Sequence, residues 1–240
     1  MKNLFSPLVR RLLPQESNLY YWLRDTFKSR GPILQRVNAA SKQQDRFIFI
    51  QIGANDGATF DPLREFVKRD KWEGVLVEPV AYLFERLQRN YHSAHQGLYF
   101  ENVAVAAERG SRSFFYLKDY SEDPSKPAWL DQIGSFDRNQ LKWAEAKYDV
   151  EVLQMEVPCL TVHDLVKKYQ FPHLDLIHID TEGYDYEIIK SINFRDISPR
   201  MIYYEHRHLT AENREACRLF LYDLGYQIKE ETYDTLAYQI

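Results

Sequence analysis

The stretch FIFIQIGANDGATFDPL, residues 47–63, is an apolar run that ends in two glycines four positions apart and then passes into a helix start. A short run of β-branched and aromatic residues reads as a buried strand. Gly53 and Gly57 let the backbone after it turn tightly and come close to a ligand without Cβ clashes. Asp61 directly before Pro62 is a helix-capping arrangement. Strand, glycine turn and helix make a βα unit.

The chain repeats that unit. GVLVEP (74–79), LYFENVAVAA (98–107), LDLIHID (174–180) and MIYYEH (201–206) read as strands. Helical stretches lie between or after them: AYLFERLQRNY (81–91), LTVHDLVKKYQ (160–170), YDYEIIKSI (184–192) and AENREACRLFLYDLG (211–225). YQIKEE and TLAYQI close the sequence as two short strands. Alternating βα units predict a mostly parallel sheet with helices on both faces, and the closing strand pair predicts an antiparallel edge. An insertion around 110–158 breaks the alternation: RSFFYL and VEVLQMEV read as extra strands around a polar, proline-containing middle. A long insertion at such a point is expected to cover a site, with Gly134 and Ser135 as a hinge.

Residues 1–45 read as an amphipathic helical extension ahead of a domain over 46–240. Leu4, Phe5, Leu8, Val9, Leu12 and Leu13 recur at helical spacing up to Pro14, and a second helical stretch runs from Ser17 to Gly31. The first 36 residues carry seven Lys/Arg against two acidic residues, a charge of +5, which leaves −9 for the rest of the −4 chain. This basic start is a candidate surface for a homodimer or for peripheral membrane contact. The overall acidic balance gives no argument for nucleic acid. Two cysteines and no apolar run long enough to span a bilayer lead to the expectation of a cytoplasmic protein without a transmembrane segment.

In a parallel sheet ligands settle beyond the carboxyl ends of the strands. Those ends carry Gly53 to Gly57, then Glu78, then Asn102. Glu78 follows Gly57 by 21 residues, close to the distance at which an acidic side chain meets ribose hydroxyls. The loop lacks the G-x-G-x-x-G of a dinucleotide site, and Asp56 inside it would repel a phosphate. Asp56 would instead suit the cationic end of S-adenosylmethionine, which disfavours an NAD-dependent dehydrogenase.

The ordered set IQIGANDG, GVLVEP with LFERLQRNY, ENVAVAAERGSRSFFY, PCLTVHDL, LDLIHIDTEGYDYEII and YYEHRHL, over roughly 46 to 210, resembles the FkbM-type S-adenosylmethionine-dependent methyltransferases. The resemblance implies a class I methyltransferase (Rossmann-like) fold with a seven-stranded sheet. It also implies methyl transfer to oxygen on a sugar, a polyketide-like metabolite or a related small molecule. Carried over residue by residue, it puts Gly53, Asn55 and Gly57 on the methionine part of the cofactor and Glu78 on the ribose. Asn102 and Ala104 would border the adenine, and Asp180 and Glu182 of DTEGYD would sit beside the methyl group and the acceptor. Gln51 stands where many members have an acidic residue, which weakens the case for a charged cofactor contact there.

Asp56 and Ser135 complete the expected cofactor-binding set. Transfer to an alcohol needs a base near the acceptor oxygen. Candidates at strand ends are Asp180, Glu182, Glu205, His206 and His208, and the catalytic set expected is Asp180, His206 and Glu182. His178, alternating within its strand, reads as a core histidine. No metal ligand is assigned, although Asp180, Glu205 and His206 admit a divalent cation. Phe114, Phe115, Tyr116, Trp129, Phe136 and Trp143 are candidate platforms for a sugar. A catalytically inactive cofactor-binding or scaffold protein with the same fold is the competing reading.

Overall fold

The computed structural model describes residues 31–239. The helices expected before residue 31 lie outside that range. Helix α1 (Pro32–Ser41) leads into β1 (Ile48–Ile52), α2 (Arg64–Arg69), β2 (Glu73–Val77), α3 (Ala81–Tyr91) and β3 (Leu98–Glu101). After the inserted region come α5 (Val162–Tyr169), β8 (Leu176–Ile179), α6 (Asp185–Ser191), β9 (Met201–Glu205), α7 (Ala211–Asp223), β10 (Gln227–Glu230) and β11 (Asp234–Tyr238). The seven-stranded sheet runs β10-β11-β9-β8-β1-β2-β3. Strands β9, β8, β1, β2 and β3 are mutually parallel, and β11 lies antiparallel between β9 and β10.

β1 is the middle one of the five parallel strands, and its period-two alternation builds both faces. Ile48, Ile50 and Ile52 point into one core with Ile177, Ile179, Leu165 of α5, Ile188 of α6 and Leu221 of α7. Phe47 and Phe49 point into the other, with Phe66 and Val67 of α2, Trp72, Leu87 of α3 and Leu236. Ile33, Leu34 and Val37 of α1 are fully buried in that second core. The part of the expected extension from residue 32 onward is therefore a covering helix of the sheet.

Polar side chains at two places fix the ends of these layers. Asp175, wholly buried at the base of the sheet, accepts the Ile48 N–H at 2.8 Å and so extends the hydrogen bonding of β1 below its first residue. At the start of α5, Thr161 Oγ1 accepts from Asp164 N at 3.1 Å while Asp164 accepts from Thr161 N at 2.9 Å. This reciprocal cap satisfies two N–H groups that the helix itself leaves without partners. Thr161→Ala should cost about 1 kcal/mol of stability, read from the urea midpoint, without touching ligand affinity.

The stretch 98–107 does not form one strand. It divides into β3 in the main sheet and β4 (Ala104–Val105), which pairs with β7 (Val152–Leu160). The break falls at Asn102, whose side-chain amide donates to the Glu78 and Pro79 carbonyls at 2.9 and 3.0 Å and turns the chain across the end of β2. Beyond it, β5 (Gly110–Leu117), β6 (Gly134–Ser135) and β7 complete a four-stranded sheet in the order β4-β7-β5-β6. Helix α4 (Lys142–Tyr148) packs on its far end through Ala144, beside Leu117, Leu130 and Val150. Two residues one turn apart on α3 fasten this insertion to the domain. Tyr82 Oη donates to the Leu117 and Asp131 carbonyls, and Arg86 donates to Asp131 and Asp119 at 2.8 and 2.5 Å.

Gly134 and Ser135, expected as a hinge, are strand residues paired with Tyr116 and Phe115. A Cβ on Gly134 would stand 2.7 Å from the Phe114 ring. Glycine is required there by packing against the ring.

Candidate functional site

A crevice opens where the carboxyl ends of β1, β2 and β8 meet the inserted sheet. Its floor is formed by Gly53, Asn55, Glu78, Asp180 and Glu182, and its wall includes Ala104, Phe114 and Phe136. Two features of the backbone make the floor. Gly53 has φ +75°, and a Cβ there would lie 1.9 Å from the Asp180 carbonyl oxygen, so the β1 and β8 ends approach as closely as only glycine allows. Asn55 follows at φ 49°, another left-handed residue, and its N–H points at Glu78.

Glu78 is 3% exposed. One carboxylate oxygen accepts from Asn55 N and the other from Val80 N, both at 2.9 Å. Each oxygen keeps capacity for a further donor. Burial is the main cause that pushes its carboxyl up to about 7, aided by the charges of Asp56 and Asp180, while the two N–H donors pull it down.

The other expected cofactor residues are distributed more widely. Asp56 turns away from the crevice: its carboxylate accepts from Ala58 N, Thr59 N and Thr59 Oγ1 at 2.7 to 2.9 Å and holds the turn together. Gly57, at φ +64°, packs against Leu87 and Tyr91 of α3. Gln51 is buried and donates to Asp61, which in turn accepts from Leu63 N and Arg64 N at the start of α2. Asn102 acts as the chain-turning residue described above, and Ala104 lines the wall. Ser135 lies behind the wall, where its hydroxyl donates to the Glu182 carbonyl at 3.2 Å.

The catalytic candidates separate into two groups. Asp180 and Glu182 line the crevice. His206 does not: it is 2% exposed, its N–H continues the ladder to Tyr233, and its Nδ1 lies 2.7 Å from Thr235 Oγ1. One residue past the end of β9, it still alternates inward, and burial lowers its pKa. His178 is likewise a core residue, packed on the Tyr203 ring.

His208, two residues on, does not line the crevice either but contacts Glu182, which does. Its Nε2 lies 3.1 Å from Glu182 Oε2 and 3.5 Å from Glu205 Oε2. Burial, then the charge of Arg207, lowers His208 to about 4. Burial first, and Asp180 second, pushes the carboxyls of Glu182 and Glu205 up. Asp185 of the same motif is wholly buried, accepts from Thr181 Oγ1 at 2.9 Å, and is pushed up to about 8 by burial. Of the aromatic candidates, Phe114 and Phe136 border the crevice in edge-to-face contact, while Trp129 and Trp143 stack on each other beside Tyr148.

A central parallel sheet with one antiparallel strand near its edge, and an acidic residue buried at the end of the strand beside β1, defines a class I methyltransferase fold. The chain belongs to the FkbM methyltransferase domain family, whose model matches residues 51–228. Its structure is similar to methyltransferase FkbM from Methylobacillus flagellatus KT, with a TM-score of 0.50 and 14% identity over 81% of this chain and 44% of that one. The chain thus spans less than half of that protein. It is also similar to precorrin-6y C5,15-methyltransferase from Geobacter metallireducens GS-15, with a TM-score of 0.43 and 12% identity over 86% of this chain and 87% of that one. At these identities the likeness concerns the fold alone. None of the curated proteins compared with the chain matches it. No helix among the described residues is long and apolar enough to cross a membrane.

Proposed function

We propose that the protein is an S-adenosylmethionine-dependent O-methyltransferase that acts in the cytoplasm on a hydroxyl of a small molecule, such as a sugar or a polyketide-like metabolite. The observation that carries the reading is the charge of the crevice. Glu78, Asp180 and Glu182 line it, with no lysine or arginine among the lining residues. Asp180, joined by Glu78 and Glu182 as they ionise, repels the pyrophosphate of a dinucleotide and favours a ligand that joins an adenosine to cationic groups.

The donor set fits that ligand. The free lone pairs of Glu78 would accept the two ribose hydroxyls, while Ala104, Phe114 and Phe136 would cover the base. Gly53 and Asn55, which line the crevice, would border the methionine part. When bound, the cofactor supplies a methyl carbon activated by a positive sulfur. The chain must then hold the acceptor oxygen in line with that carbon and take its proton. Asp180 and Glu182 are the carboxylates on this edge of the crevice, and one of them would take the proton from the acceptor oxygen.

Calorimetric titration of the purified chain with S-adenosylhomocysteine, with NAD as control, tests the reading. Saturable binding of the first alone is the expected result, followed by label transfer from the methyl donor to members of a polyol and glycoside panel. Binding of NAD, or of neither compound, would overturn it.

A further inference from the structure

The loop DTEGYD holds Glu182 in a left-handed conformation, φ 51°, which costs a residue with a side chain about 1–2 kcal/mol. Tertiary contacts impose it. Ser135 Oγ donates to the Glu182 carbonyl, and the next residue, Gly183, lies so near the β9 loop that a Cβ would stand 3.2 Å from the His208 carbonyl oxygen. The two loops are thus packed backbone to backbone, and their side chains converge. One ligand atom each from Glu182, Glu205 and His208 lies within 4.8 Å of the others.

The spacings inside this group have the dimensions of a coordination sphere. His208 Nε2 is 3.1 Å from Glu182 Oε2 and 3.5 Å from Glu205 Oε2. The edge of an octahedron is √2 times its arm, so these edges correspond to arms of about 2.2 and 2.5 Å; the shorter is close to the arm of a small divalent cation, and the longer closes to it when Glu205 draws in by a few tenths of an ångström.

The second observation concerns Glu205. Its side chain is 14% exposed, and its Oε2 is sealed from solvent and accepts no hydrogen bond. Removed from water, that oxygen has His208 Nε2 at 3.5 Å, beyond good hydrogen-bond length, so its lost hydration is poorly compensated. Among the described residues no lysine or arginine forms an ion pair with Glu182 or Glu205. A cation placed between the three side chains supplies the missing partner.

We propose that Glu182, Glu205 and His208 bind a divalent cation, Mn²⁺ or Mg²⁺, at the acceptor end of the crevice. Three ligands from one side leave the remaining positions of a six-coordinate ion to water or to hydroxyl oxygens of the acceptor. An ion there lowers the pKa of a coordinated hydroxyl and fixes its oxygen, and Asp180 then takes the proton. This role rests on the methyl-transfer reading above, whereas the binding of the ion does not.

The test uses the full chain, stripped with a chelator and titrated with Mn²⁺ while the electron paramagnetic resonance signal of the free aquo ion is followed. The expected result is one saturable site per chain, from which Mg²⁺ displaces Mn²⁺. Glu205→Gln and His208→Gln should each weaken Mn²⁺ binding about tenfold or more, with S-adenosylhomocysteine affinity retained. No saturable binding to the wild-type chain, or wild-type affinity in both variants, would overturn the proposal and leave an ion pair only. Should Glu205→Gln fail to fold, His208→Gln, at the more exposed position, decides alone. Mn²⁺ binding without S-adenosylhomocysteine binding would remove the methyl-transfer reading and keep the cation site. The reverse pattern would do the opposite.

Discussion

Gly53→Ala should lower stability by about 2–5 kcal/mol and abolish measurable binding of S-adenosylhomocysteine. Two costs add at this position. A left-handed φ of +75° is open to glycine but penalises alanine by about 1–2 kcal/mol. The added methyl would also stand 1.9 Å from the Asp180 carbonyl oxygen, a backbone atom that cannot rotate away. Relief requires the ends of β1 and β8 to separate, and overpacking of this kind costs about 1–3 kcal/mol or more. The separation would move Asn55 and with it one of the two N–H groups that hold Glu78. Gly57→Ala provides the comparison. Its added methyl meets the side chains of Leu87 and Tyr91, which can shift, so a smaller loss of stability with ligand binding preserved is expected. Urea unfolding and calorimetry on both variants read the difference. A Gly53→Ala protein with wild-type midpoint and affinity would show that this approach of the strands has no part in the site.

Much of this arrangement was legible in the sequence because local pattern and tertiary role coincide in the main sheet. Ile48, Ile50 and Ile52 alternate with Phe47 and Phe49 as a strand buried on both faces must, and the helices show their own period on either side. The strand ends were legible for the same reason: in a parallel sheet the residue after the last apolar position faces the ligand side, and Gly53, Glu78 and Asp180 all stand there. Where the outcome depends on a distant contact, the sequence is silent. LYFENVAVAA has strand propensity throughout, and only the bonds from Asn102 to the Glu78 and Pro79 carbonyls divide it between two sheets. Asp56 is drawn into its own turn by Thr59, a local competition that its place between two glycines conceals.

His206 and His208 illustrate a further kind of ambiguity. Both follow β9, and the decisive fact is that the ladder to β11 extends one residue beyond the strand, through His206 N to Tyr233 O. That extension turns His206 inward toward Thr235, and the chain is free to bring His208 over Glu182 only after it. The length of β11 in the partner strand sets this register, and no pattern within YYEHRHL reports it. Helix α1 is similar: Pro32 at its start and the apolar residues Ile33, Leu34 and Val37 are visible, but whether they cover the sheet depends on Phe47, Trp72 and Leu236 far along the chain.

For Glu78 the expected signature is a change in pH dependence as well as in affinity. Its carboxyl is raised to about 7 from an ordinary value of 4.5, chiefly by burial, so the folded protein holds this proton more tightly than the unfolded chain does. Its contribution to stability is therefore fully present below about pH 4.5 and is lost as the pH rises through 7, on the order of 3 kcal/mol in all. Ligand binding has the opposite slope. Two ribose hydroxyls need the ionised carboxylate as acceptor, so affinity for S-adenosylhomocysteine should rise between pH 6 and 8 and level off above, by at most about tenfold per unit. Glu78→Gln keeps the shape and one acceptor oxygen but removes the charge. It should bind roughly ten- to a hundredfold more weakly at pH 8, and its affinity should no longer change with pH. The same variant should lose the downward slope of wild-type stability between pH 5 and 7, since it has no proton to release there. The two slopes, measured by calorimetry and by urea unfolding on one pair of proteins, separate a ribose ligand from a structural brace. A brace that only accepts the Asn55 and Val80 N–H groups would alter stability and leave the pH dependence of binding as it was. If Glu78→Gln binds S-adenosylhomocysteine with wild-type affinity and wild-type pH dependence, Glu78 is the brace, and the acidic floor of the crevice must recognise its ligand through Asp180 and Glu182 instead.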